Sequence, residues 1–153
     1  MNDIFFMQEA IREALKAKEL MEIPIGAVIV KDNKVIGRGF NTKETQKDAT
    51  LHAEIIAIKE ACTTLGGWRL PGCTMYVTLE PCPMCAGALV NARVGRLVIG
   101  TRDEKTGSCG TVMNITNNKS LNHQIEVDIG VCGEECKSML KTFFKELRIL
   151  KIK

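Results

Sequence analysis

A chain of 153 residues, 45% hydrophobic and only 5% aromatic, can bury well over half of its unfolded surface in one domain, so no metal is needed merely to hold it folded. Its net charge of +3 permits a polyanionic partner without requiring one, and no apolar run is long enough to span a bilayer. Seven cysteines, an odd number scattered at Cys62, Cys73, Cys82, Cys85, Cys109, Cys132 and Cys136, disfavour a disulfide framework. Residues 1–6 lack a basic stretch followed by an apolar core, so the expectation is a cytoplasmic protein with reduced thiols and no membrane segment.

Asn2 or Asp3 can cap a first helix in which Phe6, Met7, Ala10, Ile11, Ala14 and Leu15 recur at three and four residues; it should end near Leu20. Pro24 bars that helix, and residues 25–30 read as a strand buried on both faces. A turn at 31–34 leads to a second strand reaching Phe40, which makes an antiparallel hairpin. Residues 41–51 are polar and without period, and read as a loop delivering the chain to His52. A helix should follow to about Thr64, with Thr50 or Asp48 near its start and Gly66-Gly67 stopping it.

Residues 73–79 form a β-rich strand, and Pro83 fits the first turn of a helix from about Cys82 to Ala92. With a strand at 94–100, strand, helix and strand imply a right-handed parallel crossover. A polar loop over 101–118 and a short strand at 124–129 precede a final helix from Glu134 to about Leu150. On that helix Met139, Leu140, Phe143, Leu147 and Leu150 share one arc, and Lys137, Lys141, Lys145 and Arg148 an adjacent one. The basic arc is either a solvated face or, given a nucleic-acid substrate, a phosphate contact.

The chemistry concentrates in His52-Ala53-Glu54 and Pro81-Cys82-Pro83-Met84-Cys85. Two cysteines at this spacing present both sulfurs from one helical turn to a zinc ion, and a neutral imidazole adds a third bond. Three protein ligands leave one position for a water whose acidity the metal raises to near neutrality. Glu54 then stands beside the metal without binding it, placed to move protons. Alone, a Cys-x-x-Cys could be a redox pair or half a structural zinc site; together with His-x-Glu the set is the signature of zinc nucleobase deaminases. Cys132 and Cys136 read as ordinary thiols.

The sequence resembles the bacterial tRNA-specific adenosine deaminases within the cytidine deaminase-like superfamily. Beyond the metal motif, the likeness runs from Phe6-Met7-Gln8-Glu9-Ala10 and Ile23-Pro24-Ile25-Gly26-Ala27-Val28 to Ala86-Gly87-Ala88, Ala92-Arg93 and the stretch Gly100 to Gly107. The resemblance implies a single deaminase domain over 1–153, an α/β fold with three α/β/α layers around a five-stranded mixed sheet, and a homodimer. It also implies hydrolytic conversion of the wobble adenosine of an arginine tRNA to inosine, with ammonia released and one Zn2+ per subunit. Carried over, His52, Cys82 and Cys85 are the ligands and Glu54 the proton shuttle. Asn41, Ala53 and Asp103 would meet the flipped base and its ribose. Asn122 and His123 would meet the anticodon stem-loop, and Phe144 with the final helix would lie near the RNA. One departure is visible: the approach to the histidine, usually Asp-Pro-Thr-Ala in these enzymes, is Asp48-Ala49-Thr50-Leu51.

Two other readings compete. A deaminase of a free base or nucleoside would share the metal chemistry, and the Thr101 to Gly107 loop and the basic final helix argue against it, because a small substrate has no phosphates to grip. A silent RNA-binding protein with structural zinc would have no need of Glu54.

Overall fold

The computed structural model describes residues 2–152; Met1 and Lys153, the ends of the 1–153 unit expected above, lie outside the described residues. The first helix, α1 (Asp3–Glu19), starts where expected because the Asn2 side chain accepts a hydrogen bond from the Phe5 N–H at 3.0 Å. Strands β1 (Gly26–Lys31) and β2 (Lys34–Phe40) then pair antiparallel around Asp32-Asn33. Both turn residues have positive φ, 50° and 61°, which is the tight hairpin geometry that Asp and Asn tolerate.

The expectation of an unbroken loop over 41–51 is corrected by a helical turn, α2 (Lys43–Gln46). Its amides are capped from outside the segment: the buried Glu22 carboxylate accepts from Glu44 N–H at 3.2 Å and from Thr45 N–H at 2.5 Å. No local pattern carries that signal. The next helix, α3 (Ala53–Leu65), has His52 at its cap position, with Thr50 and Asp48 close before its start as expected. Asp48 accepts from the Thr50 N–H and hydroxyl, closing a turn inside the loop.

The remaining elements are β3 (Thr74–Leu79), α4 (Pro83–Asn91), β4 (Arg96–Thr101), β5 (Glu126–Ile129) and α5 (Gly133–Ile152). The sheet order is β2-β1-β3-β4-β5; β1 pairs antiparallel with β2 and β3, whereas β3, β4 and β5 are parallel. Side chains alternate between two buried faces. Ala27, Ile29, Met75, Val77, Leu97 and Ile99 pack against α3 and α4, and Val28, Val30, Tyr76 and Val98 against α1 and α5. The result is the expected three-layer α/β/α arrangement on a five-stranded mixed sheet. Each such Val, Leu, Ile or Met side chain fully removed from water contributes about 1.5–3 kcal/mol.

Glycines set how closely the layers approach. A Cβ at Gly39 would stand 2.3 Å from the Ala53 carbonyl oxygen, and one at Gly37 2.4 Å from that of Ala57. The start of α3 is therefore seated directly on the β2 backbone. At the opposite end of the sheet, Arg96 donates twice to Asp3 at 2.8 Å and also, from Nε and Nη2, to Asp128 Oδ2 at 3.0 and 2.8 Å, while the Tyr76 hydroxyl donates to Asp3 at 2.7 Å. That guanidinium holds the Asp3 carboxyl well below the usual range, at about 2. Among the described residues no helix is long and apolar enough to cross a membrane.

Candidate active site

Two helix starts meet at one end of the sheet. His52 is the extended cap residue of α3, and Cys82 is the extended cap residue of α4, with Pro83 in the first turn and Cys85 following it. Pro83 needs no hydrogen-bond partner there, and the unpaired amides of a helix start favour thiolate over thiol. His52 Nδ1 lies 3.6 Å from Cys82 Sγ and 3.5 Å from Cys85 Sγ. All three ligand atoms fall within 4.8 Å of one another, and no fourth His, Cys, Asp or Glu among the described residues joins the group.

The electrostatics fit a cation at this point. A hydrogen bond from Cys85, joined by one from His52, holds the Cys82 thiol down at about 4. The same shared proton, with burial, pushes Cys85 far up, and the hydrogen bond with Cys82 raises His52. A divalent cation would displace the proton shared by the two sulfurs. Two thiolates and an imidazole are a donor set suited to zinc. Glu54, in the first turn of α3, is 4% exposed, and burial pushes its carboxyl up to about 7. A group so poised can accept and release a proton near neutrality.

Asn41, His52, Ala53, Asp103 and Phe144 line a cavity of about 510 Å³ in front of this cluster, floored by Ile23, Ile25 and Leu79. A recess of about 80 Å³ holds Glu54 and Cys82, with His52 and Asp103 again in its wall. Asn41 is 4% exposed, its Nδ2 donating to the Ile23 carbonyl and its Oδ1 accepting from Lys43 N–H. The Asp103 carboxylate accepts from the amides of Lys105 and Thr106 and from the Thr106 hydroxyl.

Asn122 and His123 are not brought to this cavity. His123 Nε2 donates to the Val94 carbonyl at 2.7 Å, just before β4 begins. Since β4 runs parallel to β3, that is the end of the sheet away from Cys82.

A second, open groove of about 1120 Å³ adjoins the cavity and shares Arg102, Glu104, Lys105, Leu140 and Phe144 with it. All four residues of the basic arc of α5, Lys137, Lys141, Lys145 and Arg148, line this groove. On the apolar arc, Phe143 is buried, whereas Leu150 is 55% exposed and leaves the core. Arg102 and Lys105 belong to the Gly100 to Gly107 stretch that carries the family likeness, and their place between the cavity and the groove marks them individually. Cys132 and Cys136 join no metal group among the described residues, and Cys136, in the first turn of α5, packs in the core.

Comparisons with known proteins show the family. A family profile of the MafB19-like deaminases matches residues 1–148. The chain is 53% identical over 146 residues to the tRNA-specific adenosine deaminase of Bacillus subtilis, a match covering 95% of this chain and 91% of that one. It is 43% identical over 144 residues to the tRNA-specific adenosine deaminase of Streptococcus pyogenes serotype M18, covering 94% and 91%. A solved structure from studies of A-to-I editing by tRNA:A34 deaminases at the wobble position superposes with a TM-score of 0.85 at 43% identity, over 89% of this chain and 99% of that one.

Proposed function

The chain belongs to the tRNA-specific adenosine deaminases, and from that premise we propose that it hydrolyses the wobble adenosine in the anticodon loop of an arginine tRNA to inosine and ammonia. In this reading it works as one Zn2+-dependent deaminase domain, paired as a homodimer in the cytoplasm. The observation that carries it is the placement of the His52, Cys82 and Cys85 cluster, with Glu54 close by, behind a cavity that His52 lines and that adjoins a basic groove.

His52, Cys82 and Cys85 would hold the metal. A bound Zn2+ supplies the Lewis acidity that makes a water nucleophilic near neutral pH. Glu54 takes one proton of the attacking water and delivers it to the purine N1, then takes the second from the new C6 hydroxyl and passes it to the departing amine, so that C6 loses ammonia and becomes a carbonyl. Burial suits Glu54 to this relay, because a carboxyl near pH 7 can run in both directions. Asn41, Ala53 and Asp103 border the space for an extruded base and its ribose, and Phe144 stands where cavity and groove join.

A loop nucleotide is already partly unstacked and costs little to extrude. Lys137, Lys141, Lys145 and Arg148 supply charge for the neighbouring phosphates, which a free base does not have. Asn122 and His123 can meet an RNA bound in this cavity only from a second subunit or along a longer stretch of the same RNA. Light scattering tests the dimer; a fully active, stable monomer would contradict it.

The test is a substrate panel. Zinc-loaded protein is incubated with an arginine tRNA anticodon stem-loop carrying a wobble adenosine, and in parallel with free adenine, guanine, adenosine and cytidine. Digestion and mass analysis should find inosine in the stem-loop alone. Turnover of a free base with the RNA untouched would move the assignment to nucleobase salvage.

A further inference from the structure

Glu80 follows β3 directly, two residues before Cys82, and is 2% exposed. Its carboxylate receives four hydrogen bonds from the loop that follows β4. Oε1 accepts from Asp103 N–H at 3.1 Å and from the Thr111 hydroxyl at 2.5 Å, and Oε2 accepts from Cys109 N–H at 3.0 Å and Thr111 N–H at 3.2 Å. The backbone repeats the link: Glu80 N–H donates to the Thr101 carbonyl, and the Pro81 carbonyl accepts from Ser108 N–H, both at 2.9 Å. A Cβ at Gly107 would stand 2.5 Å from both the Glu80 carboxyl carbon and the Asp103 carbonyl oxygen, so the loop rests on this carboxylate only because residue 107 has no side chain.

Four donors converging on one side chain call for a group that only accepts. An ionised carboxylate has about four acceptor sites, whereas an amide turns one arm into a donor and sets it against N–H groups. Glu80 is outside the metal cluster, and all four of its side-chain hydrogen bonds go to the loop. The loop it holds carries Asp103 to the wall of the cavity and Arg102 and Lys105 to the junction with the groove.

We propose that Glu80 is a positioning residue that fixes the 102–111 loop to the segment bearing Cys82 and Cys85, and so sets the distance between the metal site and the surface that grips the target nucleotide. This rests on the deaminase reading above. Its consequence is a division of labour: losing the Glu80 carboxylate loosens the hold on the RNA and leaves the metal in place.

The experiment compares metal-loaded full-length wild type, Glu80→Gln, Glu80→Asp and Thr111→Val. Three quantities are measured: zinc per chain, hydrogen exchange by peptide, and KM and kcat on the anticodon stem-loop. Glu80→Gln should keep its zinc, exchange faster over 101–113 but not over 52–58, and raise KM about tenfold, the effect of one charge-assisted hydrogen bond, with a smaller fall in kcat. Glu80→Asp should recover part of the KM, and Thr111→Val should raise KM in the same direction by less. Zinc lost together with activity would overturn the proposal, as would unchanged KM and exchange. If Glu80→Gln fails to fold, Thr111→Val decides: a raised KM with full zinc supports the proposal and a wild-type KM overturns it. Wild type inactive on the stem-loop would count against the deaminase reading instead, while the exchange data would still read out Glu80.

Discussion

Cys82 Sγ lies 3.6 Å from Nδ1 of His52, although thirty residues separate them, because each occupies the cap position of a helix packed on the same face of the sheet. The His52, Cys82 and Cys85 cluster is thus assembled by tertiary packing of α3 and α4. Stripping zinc with a chelator should abolish turnover while leaving the far-UV spectrum and a cooperative, lower-temperature melt. Collapse to an unfolded chain on chelation would show that the metal holds the fold.

Gly39 ties the site to the sheet. In Gly39→Ala the new methyl would meet the Ala53 carbonyl at 2.3 Å, and that backbone lies between His52 and Glu54. Overpacking of this kind costs about 1–3 kcal/mol and should also weaken zinc binding by shifting the histidine. Urea unfolding of the metal-free protein reads the first effect, and competition with a zinc chelator reads the second. Wild-type values in both would mean that α3 is not seated as described.

The basic groove makes a salt-dependent prediction. Reversing Lys141 and Lys145 to glutamate places like charge against phosphate and should weaken stem-loop binding at least tenfold at low salt. Plots of log affinity against log salt should flatten by roughly 0.7 for each single-strand phosphate that the variant leaves unneutralised. Binding curves at several salt concentrations check it; an unchanged slope would make this arc a solvated face only.

At the far end of the sheet, Asp3 predicts how stability depends on pH. Its folded-state pKa is lowered to about 2 from an ordinary 3.8, chiefly by the Arg96 hydrogen bonds, so the contribution is full above pH 3.8 and lost as pH falls toward 2. With Asp3 about a quarter exposed, solvent screening reduces this to about 1–2 kcal/mol. Asp3→Asn should lose that amount at pH 7 and converge on wild type near pH 2. A constant difference across that range would contradict the assignment.

What could be read from the sequence was what repeats or sits close together. The spacing of Cys82 and Cys85, the pairing of His52 with Glu54 and the short apolar, β-rich strands bounded by turn residues all point to the structure found. What could not be read depends on partners distant in the chain. Helix α2 owes its first amides to Glu22, about twenty residues earlier, and the hub at Glu80 exists only once residues 103–111 fold back on it. Asn122 and His123 matched a family segment, yet the return of the chain to β4 carries His123 to the other end of the sheet. Leu150 kept the helical period of α5 after the helix had left the core.

The central claim is that Glu54 moves the protons of a deamination for which His52, Cys82 and Cys85 hold the metal. Its most direct test is single-turnover inosine formation in the arginine tRNA stem-loop by wild type and Glu54→Gln, each with its zinc content measured on the same sample. Loss of a general acid and base predicts a rate about 10²–10⁴-fold lower in the variant at equal zinc. Equal rates at equal zinc would contradict the account, because the proton relay would then belong to another group.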